Sequence, residues 1–265
     1  MRGLHKAPSA RPSIRIDEIF TRANNGESPS LSMLMLLPGL ICDARIYAPQ
    51  TAAFADAVAV DGYGMADSLV DMARIALARA DVAGADRFDL FGHSMGGRVA
   101  LEVYRLAPQR VRRLALVSTG VHPVGPNEPA SRAALQAVGH EQGFAALVDH
   151  WLKPMVAPAN REDPAIYPPM EAMCLAQGQA MFDAQIRALL GRPEVAGLVA
   201  TITCPTLVMT GELDTWANPD QHRAIAELIP DAELVIVPGA GHMIQLEAPQ
   251  AVNAAIARWR ARPAD

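Results

Sequence analysis

A serine between two glycines is the feature of this sequence that most clearly suggests chemistry. Gly92, Ser94 and Gly96 form a Gly-x-Ser-x-Gly motif, which follows a short apolar run and leads directly into a helical pattern. A serine at so sharp a strand-to-helix turn needs strained backbone, and the two glycines remove side chains that would collide there. The hydroxyl is thereby pushed out of the sheet. The motif and its flanking pattern predict that Ser94 is a nucleophile.

A serine nucleophile needs a base to accept its proton. Seven histidines compete for this role, and His242 lies in a glycine-rich loop directly after an apolar strand. Loops at that end of a sheet strand are where catalytic residues collect. His93 directly precedes the nucleophile and should point away from it. His140, His150 and His222 fall in predicted helices or at their ends, where a solvated histidine is ordinary. We therefore predict His242 as the base.

The base in turn needs a carboxylate that orients its ring. Asp214 follows the predicted strand at residues 206–210 in a loop that also contains Glu212. Glu212 lies in the tight part of the turn. Asp220 lies at the start of a predicted helix, where an acidic side chain serves as a cap or dipole partner. Asp214 is the predicted acid.

Alternating strands and helices supply the elements that must position these residues. Strands are predicted at residues 14–20, 31–37, 57–60, 88–92, 111–117, 206–210 and 233–237. Helices are predicted between them at residues 67–80, 95–106, 219–229 and 249–260. This order is typical of an α/β fold with a mainly parallel β-sheet flanked by helices.

The alternation stops after Gly120 and resumes only at Pro205, about 85 residues later. A single crossover connection needs far fewer residues, so an insertion is expected. Helical patterns at residues 131–138, 143–151 and 170–190 indicate a helical cap over residues 121–200. The core is then formed by residues 14–120 and 201–265, and residues 1–13 are expected to be a flexible extension.

Composition excludes several classes of partner. The net charge of −5 gives no electrostatic reason to expect a nucleic acid. The longest strongly apolar run, residues 33–37, is too short to cross a membrane.

The cysteines and the N-terminal residues bear on the cellular compartment. The 3 cysteines are widely spaced without a C-x-x-C pattern, which favours a reducing compartment. The N-terminal residues lack the apolar stretch of a signal peptide. We expect a cytoplasmic protein that acts on a small molecule. The sequence allows a homodimer without specifying the oligomeric state.

No cofactor or metal is expected. The glycines around the nucleophile have the spacing of a phosphate-binding loop, but Arg98 and Val99 stand where that loop has a lysine and a hydroxyl residue. The sequence also has no dinucleotide-binding fingerprint and no H-E-x-x-H motif.

The chain order Ser94, Asp214, His242 resembles that of the α/β-hydrolases. From residue 14 to about residue 260 the chain looks like a capped member of that family, with a matching serine turn, acid loop, histidine loop and insertion. The resemblance implies an oxyanion hole made by two backbone N–H groups. One belongs to Met95, which follows the nucleophile, and the other to Leu40 in the loop after the strand at residues 31–37.

The resemblance implies hydrolysis through an acyl-enzyme, and serine at the motif argues against the dehalogenase and epoxide hydrolase branches, which have aspartate there. Apolar cap residues favour a small, fairly apolar carboxylic ester as substrate. Those considered are Trp151, Met155, Met170, Met173, Leu175, Met181 and Phe182. The candidate pocket residues are His122, Trp151, Met155 and Met243.

Two alternatives remain open. A carbon–carbon bond or enol-lactone hydrolase would share the triad. The carbon–carbon hydrolases usually carry tryptophan next to the catalytic histidine, however, and this chain has Met243 there. A small-molecule receptor with the hydrolase fold is the alternative that is not an enzyme.

Overall fold

The described strands form one parallel sheet. A computed structural model of the protein describes residues 33–264. Its strands are β1 (Met33–Leu37), β2 (Ala57–Ala59), β3 (Phe88–His93), β4 (Val111–Val117), β5 (Thr206–Gly211) and β6 (Glu233–Val237). They pair in the order β2-β1-β3-β4-β5-β6, and every pairing is parallel. The predicted fold class is confirmed. The strand predicted at residues 14–20 and the extension predicted at residues 1–13 lie outside the described residues.

Helices connect these strands. In chain order they are α1 (Ala48–Ala53), α2 (Leu69–Val82), α3 (Met95–Leu106), α4 (Glu128–Gln142), α5 (Phe144–Leu152), α6 (Tyr167–Leu175), α7 (Gly178–Leu190), α8 (Ala196–Val199), α9 (Pro219–Leu228), α10 (Ile244–Glu247) and α11 (Pro249–Ala261). Short 3-10 turns supplement them, including one at Ala44–Tyr47.

The strands in the middle of the sheet are buried along their whole length. Every residue of β1, β3 and β5 is buried. This burial explains why β1 reads as a continuous apolar run, and β3 and β5 as mainly apolar ones, rather than as alternating patterns, since helices cover both faces of a parallel sheet. The predicted boundaries of β4 and β6 agree with those observed.

Helices α4 to α8 lie in the chain between β4 and β5, where the sequence predicts an insertion. The prediction of a single helix over residues 170–190 is wrong, because two helices, α6 and α7, occupy this range. Gly178 has a φ of 78°. A residue in the left-handed region interrupts a right-handed helix, and glycine adopts it without steric penalty.

The carboxyl ends of the strands carry the predicted catalytic residues. Ser94 follows β3, Asp214 lies shortly after β5, and His242 lies in the loop after β6. Because all strands run parallel, these three ends share one edge of the sheet, where ligands bind in open α/β folds.

The turn at Ser94 is strained and closely packed. Ser94 has a φ of 56° and a ψ of −119°, in the region that favours glycine. A Cβ placed on Gly92 would lie 2.3 Å from the carbonyl oxygen of Gly96, and one on Gly96 would lie 2.2 Å from the carbonyl oxygen of Leu37. The start of α3 therefore packs directly against the backbone at the ends of β3 and β1, and neither glycine has room for a side chain.

This packing predicts that two glycine substitutions differ in their effect on stability. Gly92→Ala should lower the free energy of unfolding by about 3 kcal/mol, since the new methyl group meets rigid backbone. Gly197 in α8 is the matched control, because a Cβ there would meet nothing within 4 Å. Gly197→Ala should be neutral or stabilise by up to about 1 kcal/mol. Urea unfolding of both variants measures the difference, and equal stabilities would contradict the close packing at Ser94.

Candidate active site

Three side chains from separate loops form a continuous hydrogen-bonded chain. The Oγ of Ser94 lies 2.9 Å from the Nε2 of His242. The Nδ1 of the same ring lies 2.8 Å from the Oδ2 of Asp214. A carboxylate can only accept, so Nδ1 carries the proton and Nε2 is left to accept from the serine hydroxyl. This is the tautomer that a general base for Ser94 requires.

The Asp214 carboxylate is held in its ionised form. It is buried at 2% exposure, and its Oδ1 accepts from the backbone N–H groups of Trp216 and Ala217, both at 2.9 Å. The hydroxyl of Thr210 donates to Oδ2 at 3.1 Å. Burial alone would raise the pKa of Asp214, but the interaction with His242 and the two backbone N–H groups outweigh it, so the pKa is lowered. The rival acids lie elsewhere: Glu212 accepts from the Gly239 backbone N–H, and Asp220 is exposed and pairs with Arg223.

Two groups hold the histidine loop, the Met155 carbonyl and the Glu247 carboxylate. The backbone N–H of His242 donates to the carbonyl of Met155 at 2.7 Å, which connects the loop to the cap. The carboxylate of Glu247 accepts from the backbone N–H groups of Gly241, Met243 and Ala157 at 2.8–3.1 Å. Sequence reasoning missed Glu247, because an acidic residue at the end of a short helix has no pattern that distinguishes it from a solvated one.

Two residues in the lining of the Ser94 cavity have backbone N–H groups without a partner in the described part of the chain. Leu40 and Met95 both line the cavity that contains Ser94. Within residues 33–264, neither backbone N–H donates a hydrogen bond. Met95 is also the first residue of α3, where the helix dipole is positive. Together they can stabilise negative charge on an oxygen bonded to a carbon that Ser94 has attacked.

The loop that carries Leu40 depends on a cap residue that sequence reasoning missed. Ile41 has a φ of 45°, which is unusual for a β-branched residue. Its backbone N–H donates to the side-chain oxygen of Gln185 in α7 at 2.7 Å, and Gln185 is fully buried. Because the residues are 144 positions apart, no local sequence pattern could have indicated this contact.

The cavity at Ser94 has a volume of about 390 Å³. His122, Trp151 and Met155, which were predicted as pocket residues, line it. Met243 is buried but lies outside this lining. Of the other apolar cap residues considered, Met170, Met173 and Phe182 are buried away from the cavity. The apolar part of the lining consists of Leu40, Met95, Leu135, Trp151, Met155, Leu189, Trp216 and Ala217.

A charged cluster also lines the cavity, and sequence reasoning missed it. Arg192 donates to both carboxylate oxygens of Glu128, at 2.9 and 2.6 Å. Arg132 donates to the same carboxylate at 3.1 Å. Burial alone would raise the pKa of Glu128, but these guanidinium groups lower it to about 2. Arg98 completes the cluster. The only available signal was the position of Arg98, four residues after Ser94 and in the first turn of α3.

Two further buried histidines donate or accept hydrogen bonds next to the site. His93 is buried, and its Nε2 donates to the backbone carbonyl of His242 at 2.9 Å. Burial, and then the nearby His242 ring, lower the pKa of His93 to about 3, so it is neutral. His222 is also buried, which corrects the expectation that it is solvated. Its Nδ1 lies 3.1 Å from the Asn218 carbonyl, and its Nε2 accepts from the backbone N–H of Thr119.

No metal site or membrane segment is evident in the part of the chain described. Within it, no group of three or more His, Cys, Asp and Glu side chains could hold a metal ion. None of the described helices has both the length and the apolarity needed to span a membrane.

The depressed pKa of His93 predicts a pH dependence of stability. Below pH 6.5 the unfolded chain protonates His93 while the folded chain keeps it neutral, so the folded state loses stability as the pH falls. Between about pH 7 and about pH 5 this loss amounts to about 2 kcal/mol. His93→Gln keeps a donor for the His242 carbonyl but cannot titrate, so urea unfolding should show a smaller loss for this variant.

The exposed His150 provides the control for this measurement. His150→Gln should lose as much stability between the two pH values as the wild type does. An equal loss in His93→Gln would contradict the neutral, buried state of His93.

Sequence comparisons identify related proteins. The pattern of the "Alpha/beta hydrolase family" matches residues 34–255. The chain is 29% identical over 230 residues to the dihydrolipoyllysine-residue acetyltransferase component of the acetoin cleaving system of Pseudomonas putida. That match covers 82% of this chain and 56% of the relative, so the chain spans little more than half of that protein's length.

Comparison with solved structures finds proteins of the same fold. A thermophilic esterase from Thermogutta terrifontis superposes with a TM-score of 0.78 at 23% identity, covering 86% of this chain and 89% of the esterase. The enol-lactonase from Burkholderia xenovorans LB400 superposes with a TM-score of 0.79 at 20% identity, covering 90% and 94% of the two chains. At these identities the likeness establishes the fold only. The sequence match over residues 34–255 shows that this chain belongs to the alpha/beta hydrolase family.

Proposed function

We propose that this hydrolase cleaves a small carboxylic ester through an acyl-enzyme on Ser94. The observation that carries the proposal is the unbroken contact from the Ser94 hydroxyl through the His242 ring to the Asp214 carboxylate. The unpartnered N–H groups of Leu40 and Met95, beside the same hydroxyl, support it.

Acylation uses Ser94, His242 and the two backbone N–H groups. The Oγ of Ser94 attacks the ester carbonyl carbon while His242 Nε2 takes the hydroxyl proton. The carbonyl electron pair moves to the oxygen, which the N–H groups of Leu40 and Met95 stabilise. Preorganised donors of this kind contribute about 3–4 kcal/mol each in comparable sites. When the carbonyl re-forms, the bond to the alcohol oxygen breaks, and His242 returns the proton to that oxygen.

Deacylation repeats these steps with water. His242 Nε2 takes a proton from water as the water oxygen attacks the acyl carbon. The bond to Ser94 Oγ then breaks, and the serine recovers its proton from His242. The sum is ester plus water giving acid plus alcohol. Throughout, the Asp214 carboxylate keeps the ring oriented and stabilises its protonated form.

The cavity is compatible with a small substrate. Its volume of about 390 Å³ is within the range of small-molecule sites. The wall formed by Leu40, Trp151 and Met155 can bury the apolar part of an ester.

Substitution of the nucleophile tests the proposal. Ser94→Ala should lower kcat for a 4-nitrophenyl ester by about 10⁴-fold, with unchanged thermal unfolding, because the step that forms the acyl-enzyme is lost. His242→Ala should have a similar effect. Ser68→Ala removes a hydroxyl that caps α2 outside the cavity, and its rate should equal that of the wild type. A near-normal rate in Ser94→Ala would refute the assignment.

A fluorophosphonate probe separates an enzyme from a receptor of the same fold. An activated serine displaces fluoride from the probe and forms a stable phosphonyl ester. Wild type and Ser68→Ala should be labelled, and Ser94→Ala should not. A wild-type protein that remains unlabelled would favour a binding role.

A further inference from the structure

Arg98 is a buried cation without a carboxylate partner. Its exposure is 8%, and it lines the cavity that contains Ser94. Its guanidinium donates to the backbone carbonyl of His122 at 3.3 Å from both Nη1 and Nη2, and Nη2 lies 3.5 Å from the His122 ring. Among the described residues, no carboxylate lies within ion-pair distance of it. A buried charge that is paired only with a neutral carbonyl is costly to keep.

The one carboxylate in the cavity lining is already engaged by the other two guanidinium groups. Glu128 accepts from Arg192 on both oxygens and from Arg132 on one. Arg192 is further fixed by the carbonyls of Leu189 and Pro123. The lining therefore contains three guanidinium groups against one carboxylate. Of these three guanidinium groups, Arg98 is the one that does not contact Glu128.

The electrostatic state of Arg98 agrees with this arrangement. Burial, and then the nearby charge of Arg192, lower the pKa of Arg98, and Glu128 opposes this only in part. An anion that entered the cavity would reverse both effects, since it would replace lost solvation and offset the charge of Arg192.

The position of Arg98 relates it to the reacting centre. Arg98 lies four residues after Ser94, in the first turn of α3, and both residues line the same cavity. The apolar wall of Leu40, Trp151 and Met155 lines that cavity as well. A second unused donor, the indole Nε1 of Trp151, is buried without a hydrogen-bond partner within residues 33–264.

From this geometry we infer that the substrate is an ester that carries a free carboxylate, and that Arg98 binds this carboxylate. A guanidinium holds a carboxylate through two parallel hydrogen bonds, which fixes orientation as well as adding affinity. The apolar wall then accommodates the short chain between the carboxylate and the ester carbonyl. This inference rests on the proposed ester hydrolysis at Ser94. It adds a charged end group to a substrate that the sequence alone predicts to be fairly apolar.

Matched pairs of esters test the inference. The first pair is the 4-nitrophenyl monoester of glutaric acid and the same compound with a primary amide in place of the carboxylate. The second pair is 4-acetoxybenzoate and 4-acetoxybenzamide. The members of a pair differ in charge and hardly in shape, and the pairs place the carboxylate on the acyl or on the alcohol side. In at least one pair, the wild type should favour the carboxylate in kcat/KM by about 10- to 100-fold.

Substitutions of Arg98 identify the group responsible. Arg98→Gln should lower the ratio of carboxylate to amide in that pair at least about 10-fold, with the larger change in KM. Arg98→Lys, which keeps the charge but not the two-bond geometry, should give an intermediate ratio and remains informative if Arg98→Gln does not fold. Arg74→Gln is the matched control, because Arg74 is exposed on α2 and does not line the cavity. Its ratio should equal that of the wild type.

The inference is overturned if the wild type hydrolyses both members of each pair equally well. It is also overturned if the ratio is unchanged in Arg98→Gln, since Arg98 would then only hold the His122 carbonyl. If none of these esters is turned over, the proposed ester hydrolysis fails, and binding decides the role of Arg98 separately. Glutarate at saturation should raise the Tm of Ser94→Ala by about 2 °C or more, glutaramide should not, and adding Arg98→Gln should abolish the shift. In that case, the absence of a Tm shift with glutarate overturns the inference.

Discussion

The backbone approach between the Ser94 turn and β1 is the constraint on which the rest of the site depends. The start of α3 lies so close to the carbonyl of Leu37 that Gly96 cannot carry a side chain. This approach brings the loop after β1, with Leu40, beside the loop after β3, with Ser94 and Met95. One packing contact therefore brings Ser94, Met95 and Leu40 to the same cavity. The strained φ of Ser94 is maintained because the surrounding backbone leaves no alternative.

The inserted helices complete this site rather than merely covering it. Gln185 of α7 holds the backbone N–H of Ile41, next to Leu40. The carbonyl of Met155 holds the backbone N–H of His242. Glu128 of α4 and Arg192 after α7 form the charged part of the cavity wall. The segment between β4 and β5 thus contacts both the loop of Leu40 and the loop of His242 through specific hydrogen bonds, so a shift of this segment would alter the geometry of the site.

The sequence could predict the fold and the triad candidates because both depend on local patterns. The burial of β1 on both faces produces a continuous apolar run, and the Ser94 turn requires glycines at fixed positions. Asp214 and His242 could be proposed because each follows a strand of the sheet closely. The family resemblance, rather than any spacing, directed attention to Leu40 and Met95.

The remaining features depend on contacts between distant parts of the chain. Gln185 and Ile41 are 144 positions apart, and Arg192 and Glu128 are 64 positions apart. Met170 and Phe182 have the helical spacing of pocket residues but are buried outside the cavity lining, since spacing shows which face of a helix is buried and not what covers it. Arg98 was considered only as a mismatch to a phosphate loop, because its lack of a carboxylate partner becomes visible only once the cavity is assembled.

The proposed ester hydrolysis requires that the hydroxyl of Ser94 forms a covalent acyl intermediate. Rapid-quench mass spectrometry of the wild-type protein with an activated ester tests this requirement directly. We expect a transient mass increase equal to the acyl group, located on the peptide that contains Ser94, which appears and decays at rates consistent with turnover. Hydrolysis of the ester without an acylated protein species, or with the acyl group on a different residue, would contradict it.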